Sequence, residues 1–298
     1  MGKQDDSLTK VDGPDRVHYE TGVLLNAEDF LAEQNYHRGR LARALAYING
    51  SGTLAGLKIE YKEAVEADEE LDRAAQAERI LIHAGIAIDR PGRLIEVPRA
   101  ICMRIGEWYE QQKNNDLREA WHATDEMWNG SAAGVVVDVF IRFVSCERGK
   151  TPVFSLGPFD SIDAVTAARL RDGYEAELVL RKETNPGEPV SPWPDFSSTP
   201  ETERPEMLRN AIFSAWRGST DANDLQGLNP LAEHASGQDT TSLFLARLII
   251  PADESISSGS PNRREGEAVQ VRNDLRSFII TANALAAMSG INITAEIS

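Results

Sequence analysis

Cysteine is almost missing from this chain: Cys102 and Cys146 are the only two among 298 residues. Two thiols make no disulfide framework, so the fold has to be held by its own core rather than by covalent staples. Long apolar runs are missing as well. No stretch of about 18 apolar residues occurs, and Met1 to Pro14 is polar, so the sequence predicts neither membrane insertion nor a secretory signal. Basic residues are in deficit, with 31 Lys and Arg against 47 Asp and Glu and a formal charge of -16. A surface of that sign repels nucleic acid, because phosphate binding needs a cationic face.

The signatures of common chemistries are also missing. The five histidines, His18, His37, His83, His122 and His234, are scattered. No His-Glu-x-x-His or Cys-x-x-Cys spacing points to zinc, and no Asp-x-Asp-x-Asp-Gly run points to calcium. Neither a Gly-x-Ser-x-Gly elbow, a Walker loop nor a dinucleotide glycine pattern occurs. With 47 carboxylates some facing pair is inevitable, so a glycosidase-like pair carries no signal. The expectation is a protein with no cofactor, no metal and no enzymatic activity.

What is there reads as a soluble globular chain, 41% hydrophobic and 26% charged. Its length suffices for one substantial core. Residues 1–17 bury almost nothing and are expected to be a flexible arm that orders on a partner. Residues 18–298 read as a single α+β domain: a long N-terminal helix packed on a mostly antiparallel sheet, with long polar loop insertions. The helix spans Asn26 to Ile48, with Asn26 and Asp29 spaced as a capping box and Asn49 to Gly52 as its stop. Phe30, Gln34, His37, Leu41, Leu45 and Ile48 recur at steps of three and four and form one stripe. Arg38, Arg40 and Arg43 fall within two turns and read as a solvated face or a site for an acidic partner.

Further along, Leu54 to Tyr61 reads as extended and Lys62 to Glu78 as a polar excursion or solvated helix. Ile80 to Ile88 and Leu94 to Val97 flank an Asp89-Arg90-Pro91-Gly92 turn, a hairpin signal. Ala100 to Gln111 is predicted helical. Val135 to Val144 is the best central strand, with Asp138 and Arg142 read as a same-face polar pair near a sheet edge, or Asp138 as a catalytic carboxylate. A helix over Ile162 to Arg171 and a strand over Tyr174 to Arg181 follow. Residues 182–241 form a loop-rich insertion with a helix over Pro205 to Trp216. A strand from Ser242 to Ile250, a short strand near Val269 to Val271 and a helix over Thr281 to Met288 complete the chain.

The run Tyr19, Glu20, Thr21, Gly22, Val23, Leu24, Leu25, Asn26, Ala27, Glu28, Asp29, Phe30, with Glu33, Gln34, Tyr36 and His37, resembles a group of proteins encoded with contractile phage-tail-like injection systems. Asn49 to Leu57, the hairpin Ala84 to Val97, and Arg169 to Tyr174 with Leu178 are similar to further elements of that group. The resemblance covers roughly residues 17 to 181 and implies a structural subunit that docks to baseplate, sheath, tube or collar proteins. It also implies a multimeric assembly formed in the cytoplasm and then carried on the particle, including after release. Phe30, Gln34, His37, Arg38, Arg40 and Arg43 are the candidate docking residues. Gly22, Gly56, Gly85, Gly92 and Gly173 are the candidate structural turns. Two alternatives stand beside this: a receptor- or carbohydrate-binding tip or fibre protein using Trp121, Trp128 or Trp193, and a carboxylate-dependent hydrolase.

Overall fold

The computed structural model describes residues 3–4, 15–67, 74–123, 133–152, 165–215, 228–255, 259–264 and 266–289. The chain opens with β1 (Lys3–Gln4), α1 (Ala27–Ile48), β2 (Gly52–Gly56), β3 (Ile59–Lys62), β4 (Arg79–Ile82), β5 (Gly85–Ile88), β6 (Leu94–Val97) and β7 (Ile101–Met103). It continues with α2 (Ile105–Glu110), α3 (Asn114–Glu119), β8 (Trp121–His122), β9 (Gly134–Pro152) and β10 (Val165–Leu180). The last elements are α4 (Arg204–Ser214), β11 (Leu243–Asp253), β12 (Asn262–Arg263), β13 (Gln270–Arg272) and α5 (Ala282–Met288). The class is α+β, and every pairing between named strands is antiparallel.

β9 is the spine. One side pairs with β10 from Val137 to Pro152 and with β8 at Gly134 and Val135; the other pairs with β11 from Gly134 to Ile141 and with β1 at Ser145 and Cys146. Its β-branched residues suit a strand covered on both faces. Val135, Val137, Val139, Ile141 and Phe143 face a core shared with the two small sheets, β2-β5-β6 and β3-β4-β7, through Leu57, Ile59, Ile80, Ile82, Ile95 and Val97.

The opposite face of β9 carries Val136, Asp138, Phe140 and Arg142, and the two ends of the long connection from residue 181 to 242, around 181–188 and 231–242, lie against it. That connection has few apolar residues to bury, and arginines hold it instead. Asp138 is fully buried and accepts from Arg247 Nε at 2.7 Å, Arg247 Nη2 at 2.9 Å and Arg181 Nη1. Arg181 also donates to the Glu233 carbonyl at 2.6 Å, and Arg247 to the carbonyls of Pro186 at 3.2 Å and Gly187 at 2.7 Å. One carboxylate thus bridges two guanidiniums, Glu183 and Glu188 pair with them from the partly exposed side, and other N–H groups of the two arginines satisfy loop carbonyls. His234 stacks on Phe140; its Nδ1 accepts from the Leu231 N–H, so its Nε2 carries the proton given to the Ser242 carbonyl.

The C-terminal segment closes the other end. Asn273 stands in for a strand, pairing its amide with both the N–H and the C=O of Ile59 at 2.9 Å. Arg276 donates to the Leu57 carbonyl at 2.7 Å, holding Leu57 at φ 55, a left-handed backbone uncommon outside glycine. Nearby, Glu78 pairs with Arg263 and accepts from the Tyr61 hydroxyl at 2.9 Å, while the Tyr109 hydroxyl donates to the Pro261 carbonyl at 3.0 Å. Burial pushes both phenols up to about 12, with the Glu78 carboxylate adding to the effect at Tyr61.

Several expectations are corrected. The helix foreseen over Ile162 to Arg171 is strand from Val165 on, because pairing with β9 overrides the helix propensity of its Ala, Leu and Arg residues. Gly173 is therefore no turn; it lies mid-strand opposite Val144. Asp138 and Arg142 do not pair: Asp138 sits at the sheet centre, whereas Arg142 bridges Glu175 and Asp239. The Ala100 to Gln111 helix splits into β7 and α2, and Leu54 to Tyr61 breaks at Leu57 into two sheets. Ile80 to Ile88 likewise divides, so that only β5 and β6 form the foreseen hairpin. Of the excursion from 62 to 78, Val65 bridges Gln76, and residues 68–73 lie outside the described residues. Of the expected arm, Lys3–Gln4 pairs with β9, and residues 1–2 and 5–14 lie outside the described residues.

Asp138→Asn strips the charge from between two buried guanidiniums, and we expect a loss of about 3–5 kcal/mol by urea unfolding. Faster amide exchange at Gly187 and Glu188 should accompany it. Tyr61 and Tyr109 ionise later in the folded chain than the ordinary phenol near 10, so they stabilise the fold fully below about pH 10 and lose that contribution as pH rises toward 12. An alkaline titration of absorbance should show two phenols titrating near 12, reduced to one in Tyr109→Phe.

Candidate functional site

The most unusual surface belongs to α1. Asn26 Oδ1 accepts from the N–H groups of Glu28 at 2.8 Å and Asp29 at 3.0 Å, and Asp29 returns the bond to the Asn26 N–H at 2.8 Å. Glu28 and Asp29 also complement the positive end of the helix. Gly50, at φ 74, closes the other end in the left-handed conformation. The 22 residues extend about 33 Å.

Such a helix would be expected to bury its apolar stripe against the sheet, and it does not. Ala42 is its one buried residue, pressed against the β5–β6 turn at Gly92. Asn35, Arg38, Gly39, Leu45 and Ala46 share that side and are half-buried. Gly39, Ala42 and Ala46 let the helix backbone come close there, with Asn35, Arg38 and Leu45 at the margins. At 100° per residue, Phe30, Gln34, His37, Leu41 and Ile48 centre about 110° away from Ala42. All five are exposed, Phe30 by 51%, Leu41 by 58% and Ile48 by 80%. Leu24, 95% exposed, extends the apolar surface ahead of the helix with Val23 and Leu25.

The tyrosines trim this surface. The Tyr19 hydroxyl donates to Glu33, a bond that pushes its pKa up, and so ties the entering chain to the helix. Tyr36 meets the His37 ring edge-on at 5.4 Å and carries the Arg40 guanidinium at 5.4 Å from its centroid. Arg38, Arg40 and Arg43 do not form one cationic patch: Arg38 lies on the seated side, half-buried, and Arg40 and Arg43 on the far side, exposed.

Of the candidate turn glycines, Gly92 matters most to this site. Its φ is 95, and a Cβ there would collide with the Ala42 carbonyl oxygen, so glycine allows the helix to sit down. Gly56 and Gly85 approach each other's strands too closely for a side chain, and Gly22 turns at φ 95 in open space. Two further apolar faces went unforeseen as surfaces. α4 exposes Met207, Leu208, Ile212 and Phe213, and the chain leading into and through α5 exposes Phe278, Ile280, Leu285 and Met288. Periodicity shows such stripes but not whether they are covered.

Elsewhere, chemistry is sparse. Glu60 accepts from Lys62 at 2.5 Å and bonds the His83 ring at 2.9 Å; these bonds, Lys62 first, hold its carboxyl down to about 2. Cys102 is exposed two strands away from Glu60, and among the described residues no hydrogen bond joins it to His83. His122 is half-buried, and desolvation lowers its pKa. Asp138 is sealed under two arginines, which removes it as a catalytic carboxylate. Of the tryptophans foreseen for a tip protein, Trp121 donates its indole N–H to the Ala252 carbonyl at 2.9 Å, Trp193 is exposed, and Trp128 lies outside the described residues. Among the described residues no three His, Cys, Asp or Glu side chains gather as metal ligands, and no helix is long and apolar enough to cross a membrane.

Gly92→Ala combines backbone strain with a collision, and we expect it to lower stability by about 2–4 kcal/mol in thermal unfolding and to raise amide exchange along α1. Gly22→Ala, with the same φ but open space around it, should cost only about 1–2 kcal/mol. The chain matches no protein-family model and no curated protein.

Proposed function

We propose that this chain is a structural subunit of a contractile phage-tail-like injection particle, and that it docks to neighbouring tail, baseplate or collar proteins through the apolar stripe of α1. One observation carries the docking half: a well-capped helix buries only Ala42 against the body and leaves Phe30, Leu41 and Ile48 in solvent. An apolar stripe that stays out of the fold's own core marks an interaction site. Gln34 and His37 supply polar contacts within the stripe, and Arg40, about a quarter-turn from it, supplies a cation for an acidic partner, whereas Arg43 lies on the opposite side of the helix. The particle half rests on the resemblance of residues 17 to 181, whose shared features are the helix, its lead-in and the glycines that shape the turns. Assembly occurs in the cytoplasm, and the subunit leaves with the particle.

Phe30→Asp, Leu41→Asp and Ile48→Asp together should leave thermal unfolding within about 1 kcal/mol of wild type, because none of these side chains is buried. Tagged subunit should then disappear from purified particles in negative-stain images. Wild-type incorporation of the triple variant would sink the docking role, and absence of the unaltered tagged chain from the particles would sink the assignment to them.

A further inference from the structure

β10 is an edge. Over its 16 residues it pairs with β9, and among the described residues no other strand takes its second side. A long open edge is a template for another strand, and a protein that keeps one in solution either blunts it or uses it. The β10 residues that share a face with Gly173 read Arg169, Arg171, Gly173, Glu175 and Glu177: two cations, a glycine, two anions. Arg169 and Arg171 are exposed, and no ion pair engages either among the described residues. Arg169 lies directly opposite Arg148 of β9, a like-charge pair that destabilises the hairpin unless an anion intervenes. Beyond Cys146 the hairpin is two-stranded and exposed, an arrangement that is marginal alone in water.

That pattern is self-complementary under a two-fold axis. We infer that two copies of this chain pair edge to edge along β10, antiparallel, with the axis passing through Gly173. In that register Arg169 of one copy stands opposite Glu177 of the other, and Arg171 opposite Glu175, each pair occurring twice. Directly opposed side chains in an antiparallel pair have Cβ atoms about 4.5–5.5 Å apart, within reach of an ion pair. Leu170 falls opposite Ala176 on the other face, which covers part of a leucine now 51% exposed. Gly173 puts no side chain at the axis. The interface is isologous, each copy offering the same strand, and it joins two sheets into one. Arg142 and Gln238 already hold Glu175 and Glu177 in place on the receiving edge. The inference is independent of α1.

The test is a charge-swap pair read by analytical ultracentrifugation at low salt. Wild type should dimerise. R169E/R171E places four acids on the pairing face and E175R/E177R places four bases there, so each alone should be monomeric, its self-association weakened at least about tenfold. Mixed together, the two variants become complementary at all four pairs and should form heterodimers. R169E/R171E alters only exposed side chains and guards against misfolding of the second variant, which is checked by its thermal unfolding. A wild-type chain that stays monomeric, a charge-reversed chain that dimerises as well as wild type, or folded variants that ignore each other would overturn the proposal.

Discussion

The buried carboxylate of Asp138 is the point on which the larger sheet depends. It lies on the central strand, is opposed in register by Arg247 on β11, and receives Arg181 from the end of β10. A buried ion network contributes little net stability once desolvation is counted, so its value here is positional. The two guanidiniums reach past Asp138 to the carbonyls of Pro186, Gly187 and Glu233, and so pin both ends of a connection that has no strand pairing of its own among the described residues. Without those donors the polar segment would leave carbonyls unpaired against an apolar sheet, at a cost of about 1–3 kcal/mol each. The sheet's second face could then not be covered by so polar a stretch.

This arrangement also explains what could and could not be read from the residues. Val135 to Val144 is legible as a central strand because nearly every position is apolar and branched. Asn26 with Asp29 and Gly50 is legible as a helix with both ends marked, since capping is local chemistry. Asp138 was not legible, because its partners lie 43 and 109 residues away and no local spacing announces them. The segment around Arg169 was misread for the same reason: its alanines and leucine favour helix, and only the distant partner strand makes it extended. The stripe on α1 was legible as a stripe, yet whether it faced inward depended on Gly92, whose role as a seat appears only when the hairpin and helix are brought together.

Arginine is used unevenly in this acidic protein. Arg93, Arg181, Arg247 and Arg276 are buried, each bonding backbone carbonyls or a buried aspartate. Arg93 also lies over the Phe143 ring at 4.7 Å, coupling the β5–β6 turn to the spine. Burial pushes the Asp89 carboxyl up and the Arg93 pairing opposes this. Asp89, Asp138 and Glu233 are buried with these cations, so the solvent-facing surface keeps the negative charge of the formal total. Repulsion between such surfaces keeps copies apart except where cations are gathered, which gives an exposed apolar helix some protection from indiscriminate contact.

An open strand edge raises the converse problem of specifying one pairing and refusing others. The order of charges along β10 answers it. Parallel pairing of two copies sets arginine against arginine and glutamate against glutamate. A slip of two residues from the Gly173 axis leaves one kind of ion pair where there were two, and a slip of one turns the charged face away from its counterpart. Only the antiparallel register about Gly173 satisfies all four pairs, so the same residues that would blunt a generic edge admit one partner strand. A closed two-fold pair uses up β10 on both copies and cannot propagate. The α1 stripe then remains as a second, separate surface, and a subunit with one self-limiting face and one apolar face can join a larger assembly without polymerising through its own sheet.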